Sequence, residues 1–551
     1  MATGTKIAKC DIKRLVGFIE NRHVAVPEFQ RGFVWKTGQV KKLFDSLIKQ
    51  YPVGSFILWE TKKNIDARTL DGEKLPKRKF LILDGQQRMA SIYYLCRQKK
   101  FVEPHVKDKF HETCESKERD VIDFEKFYIE KGDEGPILEY SRDSSCKLDF
   151  KKLQRLVRSG YKFPVITISL DNYRKATDVF ERINQAGTRL STESIFLSET
   201  WNAHSNIGKI LRTWKRKNKK SLTSRIDTVI FIHVFALILQ LEEKRRSENI
   251  EIGIKTLKKI ADKVRNKSGE RYNRIFKNVV ESVARAVEYL KEEYKIITLA
   301  DLPSQTMITV LSVFFYYQKR PLTKPQLAEL HKWFWRSSLA NRYIGSGYSQ
   351  YINVDARRMR GLAEKNPKLN IPPVTSKVFA RIRGVDLRAG RSTYRNIIKQ
   401  AIWQQKPVFI NGTLVSRDDV ESGQHKKEDD HFFPYDLNRK GVIGEEINNI
   451  LNIHFLNGDE NSRKSNHLPS RWLEERIGQI GAKPKDIKKY FDSHLLPFKT
   501  LKDVKRYEKA FKIKGVKNKQ RKFSKDYKRF LWKRFKLLEK VLNRLQNGKS
   551  H

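Results

Sequence analysis

Apolar residues recur at helical spacing through the middle of the chain. In YNRIFKNVVESVARAVEYLKEEY, Ile275, Val279, Val283 and Val287 fall on one stripe, the signature of a helix with one buried face. TKPQLAELHKWFWRSSLANRY repeats the pattern, and few strand signals interrupt it, so residues 205–370 are expected to form a helical domain. The pattern before them is different. FLILDGQQR and FPVITISLD are short, β-rich apolar runs that end in polar turns, which predicts strands of an α/β domain over residues 1–204. Between the two runs lies KDKFHETCESKERDVIDFEKFYIEKGDEGP, a charged and poorly periodic insertion. EKNPKLNIPPVTS is rich in Pro and Asn and predicts a linker, with a boundary near residue 370 and a third domain over 371–551. That domain ends in YKRFLWKRFKLLEKVLNRL, where Tyr527, Phe530, Leu531, Leu538, Leu542 and Leu545 keep helical spacing. This predicts a basic amphipathic helix docked on a core with its lysines outward. The expected fold class is α+β and multidomain.

Composition adds a partner. The 551 residues carry 113 Lys and Arg against 63 Asp and Glu, a formal net charge of +50. Such a balance favours a polyanion, because every cation that meets a phosphate releases condensed counterions. Nucleic acid leads, and an anionic membrane is the weaker reading. The most apolar run, Val229 to Leu239, spans 11 residues and contains His233, whereas a membrane-spanning helix needs about 20. MATGTKIAKC shows no apolar core of a secretory signal. Cys10, Cys96, Cys114 and Cys146 form no C-x-x-C pair, so reduced thiols, a cytoplasmic location and no structural zinc are expected.

Candidate chemistry gathers first in DDHFFPYDLNRKGVIGEEINNILNIHFLNGDENSRKSNHLP. His431 is followed 18 residues later by Asn449, then by Asn461, Lys464 and Asn466. Phosphodiester hydrolysis needs a base to activate water, and a neutral imidazole titrates in the right range. It also needs a cation on the scissile phosphate; Mg²⁺ prefers oxygen ligands and keeps several waters, so two protein oxygens suffice. The segment resembles the HNH (ββα-metal) domain of RNA-guided DNA nucleases, and more closely the C-terminal half of GmrSD-type, modification-dependent restriction enzymes. The resemblance implies His431 as general base, Asp430 and Asn461 as metal ligands, Asn449 as the residue that orients the histidine loop, and Lys464 near the phosphate. Asp429 duplicates the acid and is the alternative ligand. His454 and His467 lie off this pattern and are expected to be structural or surface residues.

A second constellation lies near the N-terminus. In FLILDGQQRMASIYYL, Asp84-Gly85-Gln86-Gln87-Arg88 follows a strand and opens a helix, where backbone N–H groups and the helix dipole favour an anion. Arg88, and Arg31 beside Gln30, are candidate phosphate contacts. No P-loop motif occurs. Together with VPEFQRGFVW and VFERINQAGTRLSTES these blocks resemble the ParB-like, DGQQR-bearing domain of GmrSD enzymes and of the related phosphorothioate-sensing SspE proteins, which binds and often hydrolyses nucleoside triphosphates. The resemblance matches Gln30, Arg31, Asp84, Gly85, Gln86, Gln87 and Arg88, then Phe180 and Asn184 with Gly187 in the following turn. Trp35 is a base-stacking candidate but more simply a core residue.

These observations favour an NTP-regulated, modification-dependent (type IV) DNA endonuclease acting on modified phage DNA, using a divalent metal and a nucleoside triphosphate, with a homodimer as one route to double-strand breaks. Two alternatives stay open: an NTP-dependent, partition-like DNA clamp with an inactive nuclease remnant, and a modification-independent HNH nuclease or toxin.

Overall fold

The fold is seen in a computed structural model. It describes residues 4–27, 49–61, 80–97, 161–170, 206–243, 249–266, 269–345, 348–365, 368–386, 393–415, 428–439, 442–456, 458–509 and 516–549, with isolated positions between 30 and 47, 67 and 70, and 175 and 200. The charged insertion, residues 107–136, with Arg31, Asn184 and Gly187, lies outside the described residues. The chain is a mixture of helices and small mixed sheets, and its contacts divide it into two compact units: residues 1–212 with 254–273, and residues 213–253 with 274–551.

The first unit is built on a six-stranded sheet in the order β1-β6-β3-β5-β2-β4. The strands are β1 (Thr5–Asp11), β2 (Val24–Pro27), β3 (Phe56–Glu60), β4 (Ala67–Arg68), β5 (Phe80–Asp84) and β6 (Lys162–Ser169). β2 runs parallel to β5 and β3 parallel to β6, while β1 is antiparallel to β6 and β3 to β5. Both runs expected as strands are strands. Helix α1 (Ile12–Glu20) starts at Asp11, whose carboxylate caps the Arg14 N–H at 2.7 Å, and it buries Ile12, Leu15, Val16 and Ile19. That i, i+3, i+4, i+7 set makes one face of the helix. Helix α2 (Gln86–Arg97) follows β5 after a single residue. Alternate residues of β3 reach opposite faces of the sheet: Phe56 and Leu58 join one core, Ile57 and Trp59 the other. Phe56 meets Phe163 edge-on at 5.1 Å, and the Trp59 indole donates to the Leu170 carbonyl at 3.1 Å.

The second unit is mainly helical. Helix α3 (Ile207–Lys217) leads into it and α4 (Thr228–Glu243) lies in it; α5 (Ile254–Asn266) belongs to the first unit, and α6 (Gly269–Tyr294) is part of the second from residue 274 on. α4 is the apolar run noted above, buried on nearly every side, and among the described residues no helix is long and apolar enough to cross a membrane. The α6 stripe of Ile275, Val279, Val283 and Val287 is buried. After α7 (Thr306–Tyr317), helix α8 (Lys324–Leu339) begins with a capping box in which Thr323 and Gln326 satisfy each other's backbone N–H groups, as T-K-P-Q predicts. Next come α9 (Tyr348–Lys365), α10 (Ser376–Ile382) and α11 (Thr393–Trp403). The Pro- and Asn-rich stretch after α9 is pinned: Arg336 of α8 donates to the Ile371 carbonyl at 2.6 Å, and the Val374 N–H donates to the Gln546 side chain at 2.9 Å.

Two short strands, β7 (Glu428–His431) and β8 (Ile453–Leu456), then pair antiparallel, with α12 (Asp436–Arg439) between them and α13 (Gly458–Lys464) directly after. Helices α14 (Pro469–Ile480), α15 (Pro484–Ser493) and α16 (Leu501–Tyr507) lead to α17 (Val516–Gln546). The six apolar positions read in this last helix are all buried. Its Phe530 stacks 5.7 Å from Phe498 and 5.9 Å from Phe432, and meets Phe433 edge-on at 5.1 Å. This aromatic cluster ties α17 to the segment just after β7. Truncating a fully buried Phe typically costs about 3–5 kcal/mol. Phe530→Ala is therefore expected to lower the unfolding free energy of the second unit by that amount, with a correspondingly lower denaturant midpoint by intrinsic fluorescence, and to leave the sheet unit's transition in place.

Candidate hydrolytic and anion sites

The β7–β8 pair places Asp430 opposite His454 and His431 opposite Ile453. Side chains on a strand alternate, so Asp430 and His431 point to different faces of this small sheet. Asp430 is largely buried, and both of its side-chain contacts fall on Oδ2: the Lys464 ammonium at 2.5 Å and His454 Nε2 at 3.3 Å. Burial opposes its ionisation, but the His454 hydrogen bond and the Lys464 charge outweigh burial and hold the carboxyl well below the usual range. Lys464 is wholly buried at the end of α13 and also donates to the His431 carbonyl at 2.6 Å. Its own pKa is pushed down by burial, against the pull of Asp430. Lys464 is thus a bridge inside the site rather than an exposed cation. Helix α13 is held by Glu460, whose carboxylate takes a forked contact from Arg476 of α14.

The His431 imidazole is kept neutral chiefly by burial, with Lys464 adding to the effect, while Asp430 and a hydrogen bond with Asn448 partly oppose it. Its Nε2 is buried and has no partner. Asn461 is half-buried one helical turn before Lys464, and residues three apart on a helix are neighbours. Lys464 thus ties Asp430 to the His431 backbone, and Asn461 lies one turn before it on the same helix.

Asn449 has a different task. Its side chain accepts from the Leu451 N–H at 2.9 Å, capping a short 3₁₀ turn, and donates to the Arg383 carbonyl at 2.7 Å. The residue that fixes the histidine loop is Asn452, fully buried just before β8. It accepts from the Phe433 N–H at 3.0 Å and donates to the Phe433 and Ile447 carbonyls at 2.9 and 3.0 Å. The sequence holds three asparagines within five residues, and spacing alone does not rank them. A signal was present: Asn452 is the last polar residue before the apolar strand IHFL.

A second layer supports this loop. His454 passes from Asp430 to the Tyr490 hydroxyl through its other ring nitrogen, and burial lowers its pKa to about 4. It is structural, as expected, but it touches the site directly. Arg534 of α17 is buried and donates to the Leu451 and His494 carbonyls; burial pulls its pKa down to about 9. Tyr527, one helical stripe away, donates to the Glu446 and Ile447 carbonyls at 3.2 and 3.3 Å.

At the other constellation, the expectation of free phosphate contacts is corrected. Arg88 donates to the Val53 and Ser55 carbonyls and pairs with Asp84 at 2.8 Å, with its guanidinium over the Phe56 ring. Its donors face carbonyl oxygens of the 51–55 turn because that turn would otherwise leave them unsatisfied. Gln30 is buried and donates to the Ile82 and Leu83 carbonyls, and the Gln87 side chain accepts from the Trp35 N–H at 3.3 Å. Trp35 packs against the sheet core. Gly85 has φ +90°, and a Cβ there would lie 2.4 Å from the Phe56 ring, so only glycine fits. The D-G-Q-Q-R block is first of all a packed strand-to-helix junction. Gln86 stands at the start of α2.

Comparison with known proteins decides the family of this junction. A family model described as GmrSD restriction endonuclease, N-terminal domain, matches residues 12–201. Those residues belong to the GmrSD family. An uncharacterized protein of Methanocaldococcus jannaschii, MJ0686, is 24% identical over 532 residues, covering 85% of this chain and 87% of that protein. The likeness extends well past the GmrSD N-terminal domain into the helices and the β7–β8 region.

Asn452→Ala removes three buried hydrogen bonds and leaves backbone groups unsatisfied, at about 1–3 kcal/mol for each such group. Asn449→Ala removes a cap worth about 1 kcal/mol. Thermal unfolding is expected to rank Asn452→Ala as clearly the more damaging. His494 is buried beside His454, and burial first of all depresses its pKa to about 3. The unfolded chain, with a value near 6.5, takes up the proton first, so stability falls as pH drops from about 6.5 toward 3. His494→Gln is expected to flatten that stretch of the stability–pH curve.

Proposed function

We propose that this chain is a DNA endonuclease of the restriction type whose hydrolytic centre is His431. Membership of residues 12–201 in the GmrSD family suggests a restriction endonuclease. The observation that carries the proposal is the neutral His431, with an unpartnered buried Nε2, at the end of a strand in a strand–strand–helix arrangement beside Asp430, Asn461 and Lys464. That is the order of an HNH nuclease. In this reading Nε2 of His431 takes the proton from the attacking water, because a neutral imidazole with no partner on that nitrogen can accept one. Asn452 holds the Phe433 backbone so that the ring keeps its place, and Lys464 fixes the His431 carbonyl.

The residues suit a hard divalent cation. Asp430 is held ionised, both of its contacts fall on Oδ2, and Asn461 carries an amide oxygen one turn before Lys464. Among the described residues no group of three or more His, Cys, Asp and Glu side chains gathers as a metal site. Asp430 and Asn461 would hold Mg²⁺. When bound, the ion supplies charge neutralisation on the scissile phosphate and the leaving 3′ oxygen.

The finer reading is a type IV enzyme that cuts modified phage DNA under control of a nucleoside triphosphate bound at the D-G-Q-Q-R junction. The nucleotide would meet the N-terminus of α2 near Gln86, since Arg88 and Gln30 are engaged by backbone carbonyls. Arg88 then acts by holding the junction rather than by touching phosphate. A homodimer would allow both strands to be cut.

Purified chain with Mg²⁺ is expected to cleave DNA carrying hypermodified bases or phosphorothioates, and His431→Ala to lose at least 100-fold in rate while its thermal unfolding stays unchanged. Adding each triphosphate in turn is expected to change the wild-type rate. Equal rates for wild type and His431→Ala would remove the nuclease assignment. Equal cleavage of unmodified plasmid, indifferent to nucleotide, would reduce the reading to a general HNH nuclease.

A further inference from the structure

Helix α17 has 12 Lys and Arg against two acidic residues, and its two faces have separate tasks. The inward face carries the aromatic cluster, Tyr527 and Arg534, which hold the 446–452 segment beneath His431. That face is buried. The outward face is a stripe of Lys525, Arg529, Trp532, Lys536 and Lys540, all exposed. Their spacing of four, three, four and four residues keeps them on one side of the helix, over about 22 Å at 1.5 Å per residue. Lys525, Arg529 and Lys540 make no ion pair among the described residues, and the two acidic residues lie half-buried at the edges, each meeting one lysine. Trp532 is 49% exposed, by far the largest apolar ring left at the surface of this helix.

We propose that this outward stripe is a DNA-strand track, in which Lys525, Arg529, Lys536 and Lys540 follow the phosphates and the Trp532 indole stacks on a base displaced from the duplex. The charge is complementary to a phosphate backbone, and stacking tolerates any base because every base has a π-face. A cationic stripe on a solvated helix is common. What sets this one apart is an exposed indole centred among four cations, of which Lys525, Arg529 and Lys540 make no ion pair among the described residues and Lys536 meets Glu539. An anionic membrane fits less well: an interfacial helix inserts its apolar face, and here that face is buried in the protein core. The proposal rests on the reading of the chain as a DNA enzyme and adds where the strand next to the cutting site is gripped. One helix then braces the His431 loop from within and holds substrate from without.

The test is equilibrium binding of full-length protein, carrying His431→Ala and kept in chelator, to fluorescent 20-base-pair duplexes with and without one unpaired base. Lys525→Gln/Arg529→Gln/Lys540→Gln is expected to weaken binding at least tenfold near 100 mM salt. Three lost phosphate contacts should lower the magnitude of the log K against log salt slope by about 2.7. Trp532→Ala is expected to keep that slope and to lose at least fivefold on the duplex with the unpaired base, with a smaller loss on the perfect duplex. An unchanged affinity and slope in the triple variant would overturn the track. Equal losses on both duplexes for Trp532→Ala would overturn the stacking. Binding to vesicles of phosphatidylserine and phosphatidylcholine that depends on Trp532, with DNA affinity unaltered, would replace the track by a membrane contact. Failure of the nuclease reading looks different: stripe-dependent binding would persist in a wild-type chain that never cuts.

Discussion

A carboxylate taken out of water is tolerated only if its charge is met, and Asp430 sets that requirement for everything around it. Its position on β7 is fixed by pairing with β8, and the two groups that meet it come from elsewhere: His454 from β8 and Lys464 from the end of α13. Losing Lys464 would leave the buried carboxylate with only a neutral imidazole, and losing Asp430 would leave a buried ammonium uncompensated, each at a cost of several kcal/mol. The short strands and the short helix are therefore locked together by one ionic knot, although none of the three is long enough to be stable alone. His431 gains its neutral, buried ring as a by-product of that knot, because the next residue on the strand points to the opposite face.

Around the knot, rigidity is delivered by backbone capture. Asn452 holds Phe433 and Ile447, Arg534 holds Leu451 and His494, and Tyr527 holds Glu446 and Ile447. Side chains that bind main-chain groups fix loop shape more firmly than contacts between two flexible side chains do. The same device recurs in the sheet unit, where Arg88 and Gln30 bind carbonyls of the 51–55 turn and of β5. In both places residue types associated with anion chemistry serve first to position the chain. A charge near a strand-to-helix junction meets whichever acceptors lie closest, and unsatisfied carbonyls are always close.

Helix α17 links these ideas to the surface. Its inward stripe is aromatic and aliphatic except for Arg534 and the Tyr527 hydroxyl, both of which end on carbonyls of the site segment. Its outward stripe is cationic with one indole. An amphipathic helix of this kind couples substrate contact to site geometry without any moving part, because both faces are carried by one rigid rod.

Much was determined by the sequence alone. Short β-rich apolar runs located β5 and β6, and period-3.6 patterns located α6 and the terminal helix, since burial of one helix face requires that spacing whatever the partner. The net charge of +50 pointed to a polyanion, and the order Asp430, His431, Asn461, Lys464 marked candidate residues, of which the fold joins Lys464 to Asp430 and to the His431 carbonyl. Tertiary structure alone decided which asparagine does what. Asn448, Asn449 and Asn452 are chemically identical, and only the path of the 3₁₀ turns sends the first toward His431, the second toward Arg383 and the third onto Phe433. It likewise decided that Arg88 faces carbonyls and that Lys464 is buried on Asp430. Direction of approach in three dimensions governs a hydrogen bond, and a linear pattern carries residue type and spacing but no direction.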